Sequence, residues 1–229
     1  MKAYYILIPI LFFLSRAPEA SAQEVVNPNY GLKNPRTLEI IRVQVKNDHT
    51  IIDFSLANEI EGGYFCISKN TFIEYGNGVK KKLKDLTGLP YCPETYKFSA
   101  AGEKVYFTMK FDNIPGSPEW FDIIEYAGEN SLSVLAVTPG RKINERINAA
   151  FNAMDRQEPE DAIRIFSDLL PELQAKQHGL TGSVYINLTG LYSANNMNNE
   201  LKNLISGFKS SPMPHKQKYM TILKNMGYW

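Results

Sequence analysis

The chain has 229 residues, of which 44% are hydrophobic and 21% are charged, as in an ordinary globular protein with one or two hydrophobic cores. Its formal net charge of +1 excludes a strong general attraction to a phosphate backbone. We therefore expect no nucleic-acid partner.

The first 22 residues have the order of a secretory signal peptide. Lys2 precedes an apolar run at 4–14, and Ala20, Ser21 and Ala22 form a small-residue cleavage site. An uncleaved anchor is the alternative, but the apolar run is shorter than the ~20 residues that span a bilayer. We therefore expect an exported protein, periplasmic or secreted, that is cleaved after Ala22 and retains no transmembrane segment.

Residues 37–138 show the alternating pattern of short strands. The segment 103–125 predicts two long strands joined by a turn at 115–118, and 37–46 with 50–57 predict a hairpin. Shorter strands are expected at 64–68, 71–75, 79–83 and 131–137. The preceding residues 23–36 are rich in Asn, Pro and Gly, which favours an irregular lead-in. Frequent turns between short strands indicate an antiparallel β-sandwich.

Five strings in this region resemble an immunoglobulin-like β-sandwich domain: YFCIS at 64–68, TFI at 71–73, GLP at 88–90, VYFTMKF at 105–111 and FDIIE at 121–125. Such a domain is the leader of exported thiol-disulfide-oxidoreductase-type proteins of Gram-negative bacteria. In those proteins a thioredoxin-like domain with Cys-x-x-Cys would follow. This chain has no such spacing, so the redox activity is not carried over and the resemblance implies only the leader-type domain.

Residues 141–229, which follow Pro139-Gly140, carry apolar stripes at helical spacing and predict five helices. Pro171 is expected to kink or end the second helix. Ala162 and Phe166 resemble the second helix of a tetratricopeptide repeat, and 201–212 repeats that arrangement. Two degenerate repeats with a terminal helix are one interpretation, and a plain helical bundle is the other. The expected fold class is therefore α+β and segregated: an immunoglobulin-like sandwich followed by a small tetratricopeptide-like domain.

Cys66 and Cys92 are the two cysteines of a chain that we expect to be exported. In the expected strand at 64–68, Phe65 and Ile67 face the core, so Cys66 lies on the opposite face, where a crossing loop could bring Cys92. A disulfide would link them, and two separate thiols are the alternative. Their spacing does not suit a catalytic dithiol.

The remaining polar residues give no catalytic, cofactor-binding or metal-binding constellation. His49, His178 and His215 have no ligand spacing, and we expect them to be exposed. Carboxylates such as Asp122 with Glu125, or Glu158 with Glu160 and Asp161, are expected to be solvated or at helix starts. The lysines at 80–84 could contact an anionic surface, but an edge strand protected against aggregation explains them too.

Two classes of function remain. The first is an exported, non-catalytic binding or scaffold protein of the bacterial envelope that recognises a protein or peptide through its helical half. Tyr228 and Trp229 follow Gly227 and are the candidate partner-binding residues, because aromatic side chains are enriched at interface hot spots. The second is an exported enzyme, or an enzyme accessory, that acts on a polymer through a dispersed site. The ligand and the oligomeric state stay undetermined.

Overall fold

The computed structural model of the chain describes residues 23–114, 118–126 and 131–229. The expected signal peptide at 1–22 and most of the expected turn at 115–118 lie outside these ranges. The described residues form eleven strands followed by five helices, which is the α+β order that the sequence predicts. None of the helices in these ranges has the length and apolar character needed to cross a membrane.

The strands occupy the amino-terminal part of the chain. They are β1 (Gln23–Val26), β2 (Leu32–Asn34), β3 (Leu38–Val45), β4 (His49–Ala57), β5 (Tyr64–Phe65), β6 (Phe72–Tyr75), β7 (Val79–Thr87), β8 (Tyr96–Lys97), β9 (Lys104–Asp112), β10 (Phe121–Ile124) and β11 (Ser133–Val137). Nine of them form one curled antiparallel sheet in the order β1-β3-β4-β9-β7-β6-β10-β11-β2, and β5 pairs with β8.

Strand β7 divides the sheet into two halves. Its residues 79–82 pair with β6, whereas its residues from Leu83 to Thr87 pair with β9, and the register shifts between Leu83 and Asp85. Because its partner changes along its length, β7 is the line about which the sheet curls. We call β1, β3, β4, β9 and the end of β7 the first half, and the other strands the second half.

The two halves enclose one hydrophobic core. Alternate residues of β4 and β9 point inward, and the rings of Phe54 and Phe107 stack with their centroids 4.9 Å apart. Phe121 and Ile123 of β10 and Ile73 of β6 reach the same core from the second half and are fully buried. The alternation in the sequence is therefore the pattern of strands with one buried face.

The lead-in expected at 23–36 is not irregular, because it contains β1 and β2. These strands lie at opposite edges of the sheet, so residues 27–31 run from one edge to the other. The Asn29 carbonyl accepts a 2.9 Å hydrogen bond from the Thr138 N–H, and the Gly31 N–H donates to the Leu135 carbonyl at 2.7 Å. Asn, Pro and Gly favour turns locally, but strand partners distant in sequence decide the conformation here.

The pairing of the two strands in the segment 103–125 also differs from the expectation. It contributes β9 and β10, but these strands are not neighbours: β9 lies between β4 and β7, and β10 lies between β6 and β11. The hairpin expected from 37–46 and 50–57 is confirmed by the β3–β4 ladder. Short-range alternation identifies strands, whereas the choice of partner depends on how both halves cover the core.

The helices are α1 (Arg141–Asp155), α2 (Pro159–Ala175), α3 (Thr181–Ala194), α4 (Asn198–Ser210) and α5 (Lys216–Asn225). Pro171 is exposed and does not end α2, which continues for a further turn to Ala175. The adjacent Leu170 and Leu173 are buried, and their burial offsets the lost backbone hydrogen bond.

A second core holds the helices together and joins them to the sheet. Helix α3 contacts α2, α4 and α5. Because it is the central helix, its apolar residues are distributed around it and it has no distinct polar face. Ala136 of β11 belongs to this core, and the partly buried side chains of Leu32 and Trp120 pack against it. The helices are therefore packed on the outer side of the second half of the sheet.

Candidate functional site

A groove lies on the outer face of the first half of the sheet, opposite the core, and has a volume of about 580 Å³. Five residues in direct cross-strand register form its floor. They are Val26, Arg42, Asp53, Thr108 and Thr87, contributed in turn by β1, β3, β4, β9 and β7. The row runs across the strands, and we call the depression that it forms the transverse groove.

A polar network at the centre of the groove fixes Arg42. The Asp53 carboxylate accepts hydrogen bonds from Nε of Arg42 at 2.7 Å and from the Thr108 hydroxyl at 2.7 Å, and Nη2 of Arg42 lies 2.6 Å from Asp53 Oδ2. Nη1 of Arg42 lies 4.0 Å from Glu24, beyond hydrogen-bond distance. The guanidinium is therefore pre-oriented, with one nitrogen available to a ligand.

Apolar side chains flank this network. Tyr106 is 62% exposed and Val26 is 60% exposed. The register of β3 against β4 shifts between Ile40 and Arg42, so Ile41 is a bulged residue whose side chain lines the groove beside Arg42. Gly88 has φ +90°, and a Cβ there would overlap the Tyr106 carbonyl. Glycine therefore permits the close approach of the chain to β9 at this end of the groove.

A second depression of about 480 Å³ adjoins the first, and the two share Ile41. Tyr30 and Glu39 line it on one side, and Phe151 of α1 lies at its far end. The Tyr30 hydroxyl donates to Glu39 at 2.7 Å, and Lys33 pairs with the same carboxylate. Burial is the largest cause of the raised pKa of Tyr30; Lys33 opposes it, whereas the hydrogen bond to Glu39 adds to it. The groove thus extends across the first half of the sheet towards the helices.

A disulfide joins Cys66 and Cys92, with their Cα atoms 5.2 Å apart. Ile67 forms a bridge with Tyr91 beside it, and the Cys92 N–H donates to the Ile67 carbonyl at 3.0 Å. The side chain of Ile67 is fully buried. The disulfide therefore anchors a long loop to the core and lies outside the transverse groove.

The histidines correct the sequence-based expectation that all three are exposed. His178 is completely buried: its Nδ1 accepts a hydrogen bond from the Leu180 N–H at 3.1 Å, so Nε2 carries the proton and donates to the Glu119 carbonyl at 3.2 Å. Burial is the largest effect on His178 and lowers its pKa to about 4. It is therefore a neutral, structural histidine at neutral pH.

His215 connects the helices to the sheet. Its Nε2 lies 3.1 Å from the nearly buried carboxylate of Asp122, which also accepts the Ala136 N–H at 2.7 Å. Ala136 has φ +60°, an uncommon conformation for a residue with a Cβ, and Asp122 stabilises it. The Trp120 and His215 rings meet edge to face, with their centroids 5.8 Å apart. This cluster therefore connects the start of α5 to strands β10 and β11 of the sheet.

Asp122 and Glu125 are buried, contrary to the expectation that they are solvated, and they do not pair with each other. Glu125 is buried and accepts the backbone N–H groups of Ser68 and Leu132, whereas Asp122 contacts His215. Glu158 pairs with Arg156, and Asp161 pairs with Arg164. Among the described residues, no three His, Cys, Asp or Glu side chains are grouped so that they could hold a metal ion.

The lysines at 80–84 lie on β7, where the curl of the sheet occurs. Lys80 is held over the Phe72 ring at 4.5 Å, and its Nζ lies 3.1 Å from the Tyr126 hydroxyl. Hydrogen bonding to Tyr126 is the first cause of the raised pKa of Lys80. Glu74 lies 3.5 Å from the same ammonium group, so part of this charge is compensated.

Tyr228 and Trp229 pack back on α3 and α4. The Tyr228 hydroxyl contacts the Ser193 hydroxyl, and the edge of the Trp229 ring meets the buried Phe208 ring with centroids 5.9 Å apart. Lys209 and Lys224 lie 4.8 and 5.8 Å from the Trp229 ring. Trp229 is nevertheless 45% exposed, so part of its ring faces solvent.

Sequence patterns did not identify the transverse groove. Arg42, Asp53 and Thr108 are distant in sequence and become neighbours through the register of three strands. The available signal was the polar phase of the alternation in β4 and β9, which marks outward positions without showing which of them align. Comparisons with protein-family models, curated proteins and solved structures each found no match for this chain.

Proposed function

We propose that this chain is an exported, non-catalytic binding or scaffold protein that recognises a protein or peptide partner through the transverse groove. The main support is that the exposed Tyr106 lines the same groove as Arg42, and that the Arg42 side chain is held in one orientation before any ligand binds. Tyrosine and arginine are among the residues most enriched in interface hot spots. A pre-oriented guanidinium loses less conformational entropy on binding than a freely rotating one.

The hydrogen bonds in the groove favour binding over catalysis. Asp53 already accepts hydrogen bonds from Arg42 and Thr108, so its carboxylate is engaged in positioning rather than open to a substrate proton. An exported enzyme or enzyme accessory that acts on a polymer is the alternative class. Turnover of a polymer by the purified protein would establish that alternative.

Selection from a random peptide library tests the proposed function. Peptides selected on the purified protein are measured against Tyr106→Ala, which should weaken binding about 10-fold or more. Tyr64→Ala is the matched control, because Tyr64 is 72% exposed but lies on β5, outside the groove. Equal affinity for both variants, or a failure to select any peptide, would reject the groove as the binding site.

Export is part of the same proposal. The sequence of residues 1–22 has signal-peptide order, and the disulfide between Cys66 and Cys92 suits an oxidising compartment. The intact mass of the protein recovered from its host should correspond to a chain that begins at Gln23. A mass that includes Met1 would contradict cleavage.

The finer fold relationships are also proposals. The sheet curled around one core supports a leader-type, immunoglobulin-like domain, and the stacking of α1 to α4 in chain order supports two tetratricopeptide-like repeats with α5 as a terminal helix. Ala162 is fully buried four residues before the buried Phe166, as the repeat pattern requires. Trp229 and Tyr228 are a second proposed contact for the partner, since Trp229 is partly exposed.

A further inference from the structure

We infer that the occupant of the transverse groove is an extended polypeptide segment that carries a basic side chain and an apolar side chain about six residues apart. This inference rests on the proposed function and specifies its ligand. It follows from three features of the groove: its direction, its charge and the separation of Glu24 from the exposed Tyr106.

The direction of the groove determines how a bound polypeptide can be recognised. The strands that form its floor have their backbone groups paired with one another in continuous ladders, so a segment lying across them cannot extend the ladder. Recognition must therefore come from side chains. Five adjacent strands at about 4.8 Å spacing span about 19 Å, which an extended segment of about six residues covers.

The charge of the groove favours a cation at the β1 end. Its charged lining residues in both depressions are Glu24, Glu39 and Asp53, against Arg42. Asp53 is paired with Arg42, and Glu39 is paired with Lys33. Glu24 accepts a hydrogen bond from the Gln44 amide and has Arg42 at 4.0 Å, so its negative charge is the least compensated. A lysine or arginine of the partner complements it.

The separation of the anchors sets the spacing in the partner. Glu24 and Val26 are on β1, whereas Tyr106 is on β9, three strands away in the sheet. Three strand spacings amount to about 14 Å across the sheet. The register places Glu24 in line with Lys110, four residues from Tyr106 along β9, which adds about 13.6 Å in the strand direction. Glu24 and Tyr106 are therefore about 20 Å apart, close to the separation of residues i and i+6 of an extended chain. Residues i and i+6 also point to the same side, so both side chains of the partner can face the groove together.

The test uses the peptides selected on the purified protein. We expect enriched sequences with Lys or Arg about six residues from an aromatic or aliphatic residue, in either chain direction. Glu24→Gln should weaken a consensus peptide about 2- to 5-fold at low salt, and the loss should shrink at high salt. Glu61→Gln is the matched control, since Glu61 is exposed in the β4–β5 loop, outside the groove.

The outcomes separate this inference from the proposed function. Two outcomes would overturn the inference but leave the groove a binding site. Either the selected peptides depend on Tyr106 but lack a basic residue, or they bind Glu24→Gln as tightly as the original protein. Peptides whose binding is insensitive to Tyr106→Ala would overturn both. Replacing the peptide's basic residue by Ala should reproduce the loss seen with Glu24→Gln, and an unchanged affinity would contradict the inference.

Discussion

The ring of Tyr219 in α5 lies directly on the backbone of Gly182 in α3. A Cβ at Gly182 would overlap three ring carbons, and a Cβ at Gly31, which precedes the edge strand β2, would overlap the Tyr219 hydroxyl. The Tyr219 ring belongs to the second core, and this burial raises the pKa of its hydroxyl. One aromatic side chain thus joins two helices and the sheet, and it does so because two glycines leave room for it.

Gly182→Ala should lower the free energy of unfolding by about 1–3 kcal/mol, because the added methyl group forces Tyr219 to move. Gly190→Ala, in the same helix, is the matched control: a Cβ there meets no atom within 4 Å. Alanine favours the helix, so this variant should gain up to about 1 kcal/mol. Urea unfolding of both variants measures the difference, and a similar effect of the two substitutions would refute the packing.

Asn144→Ala should destabilise the protein by about 3 kcal/mol. The buried Asn144 side chain donates to the Thr138 and Gly140 carbonyls at 2.7 and 2.8 Å and accepts from the Asn29 side chain at 2.9 Å. Its removal leaves these polar groups without their hydrogen-bond partner. Asn148→Ala removes one exposed hydrogen bond to Asn29 and should cost less than about 1 kcal/mol. Comparable losses in denaturant unfolding would contradict this role for Asn144.

Acid should destabilise the protein partly through His178. Its pKa is near 6.5 in an unfolded chain and about 4 in the folded protein, so between these values the unfolded state binds a proton that the folded state does not. The free energy of unfolding therefore falls as the pH decreases from 6.5 to 4, by up to about 3 kcal/mol from this residue.

Urea unfolding at pH 7.5 and pH 4.5 measures that contribution. His178→Gln cannot titrate, so it should start less stable at pH 7.5 but lose less stability on acidification than the original protein. An equal loss in both proteins would show that other groups account for the acid sensitivity.

Removing the disulfide should cost about 3 kcal/mol, because the Cys66–Cys92 link closes a loop with a sequence separation of 26 and so restricts the unfolded chain. The double variant Cys66→Ser with Cys92→Ser should unfold at a lower urea concentration than the oxidised protein, and reduction of the oxidised protein should give a similar midpoint. Recovery of two freely alkylated thiols from the untreated folded protein would contradict the link.

Deleting Tyr228 and Trp229 should lower the stability of the helical half by about 1–2 kcal/mol, since Phe208 would lose the aromatic ring that covers it. Thermal unfolding measures this cost, and the affinity of a groove-binding peptide should stay unchanged. Unchanged stability would contradict the packing of Trp229 on Phe208, whereas weaker binding of the whole partner is the outcome expected if these two residues are its second contact.

Local patterns in the sequence predicted the class of most elements. Alternation identified β3, β4 and β9, and apolar stripes at helical spacing identified all five described helices, because one face of each element is buried. Two local signals gave wrong expectations: the lead-in at 23–36, which is rich in Asn, Pro and Gly as a whole, contains β1 and β2, and Pro171 did not end α2. Pairing with distant strands outweighed the local preference in the lead-in, and the burial of neighbouring leucines outweighed it at Pro171.

The sequence by itself determined the order of strands and helices, because side-chain periodicity reflects the one face that each element buries. Only the tertiary structure decided which residues meet. The alignment of Arg42, Asp53 and Thr108, the burial of His178 and its lowered pKa depend on strand register and on the docking of helices onto the sheet. These arrangements join residues far apart in the chain, and a one-residue change of register would turn each groove residue to the opposite face.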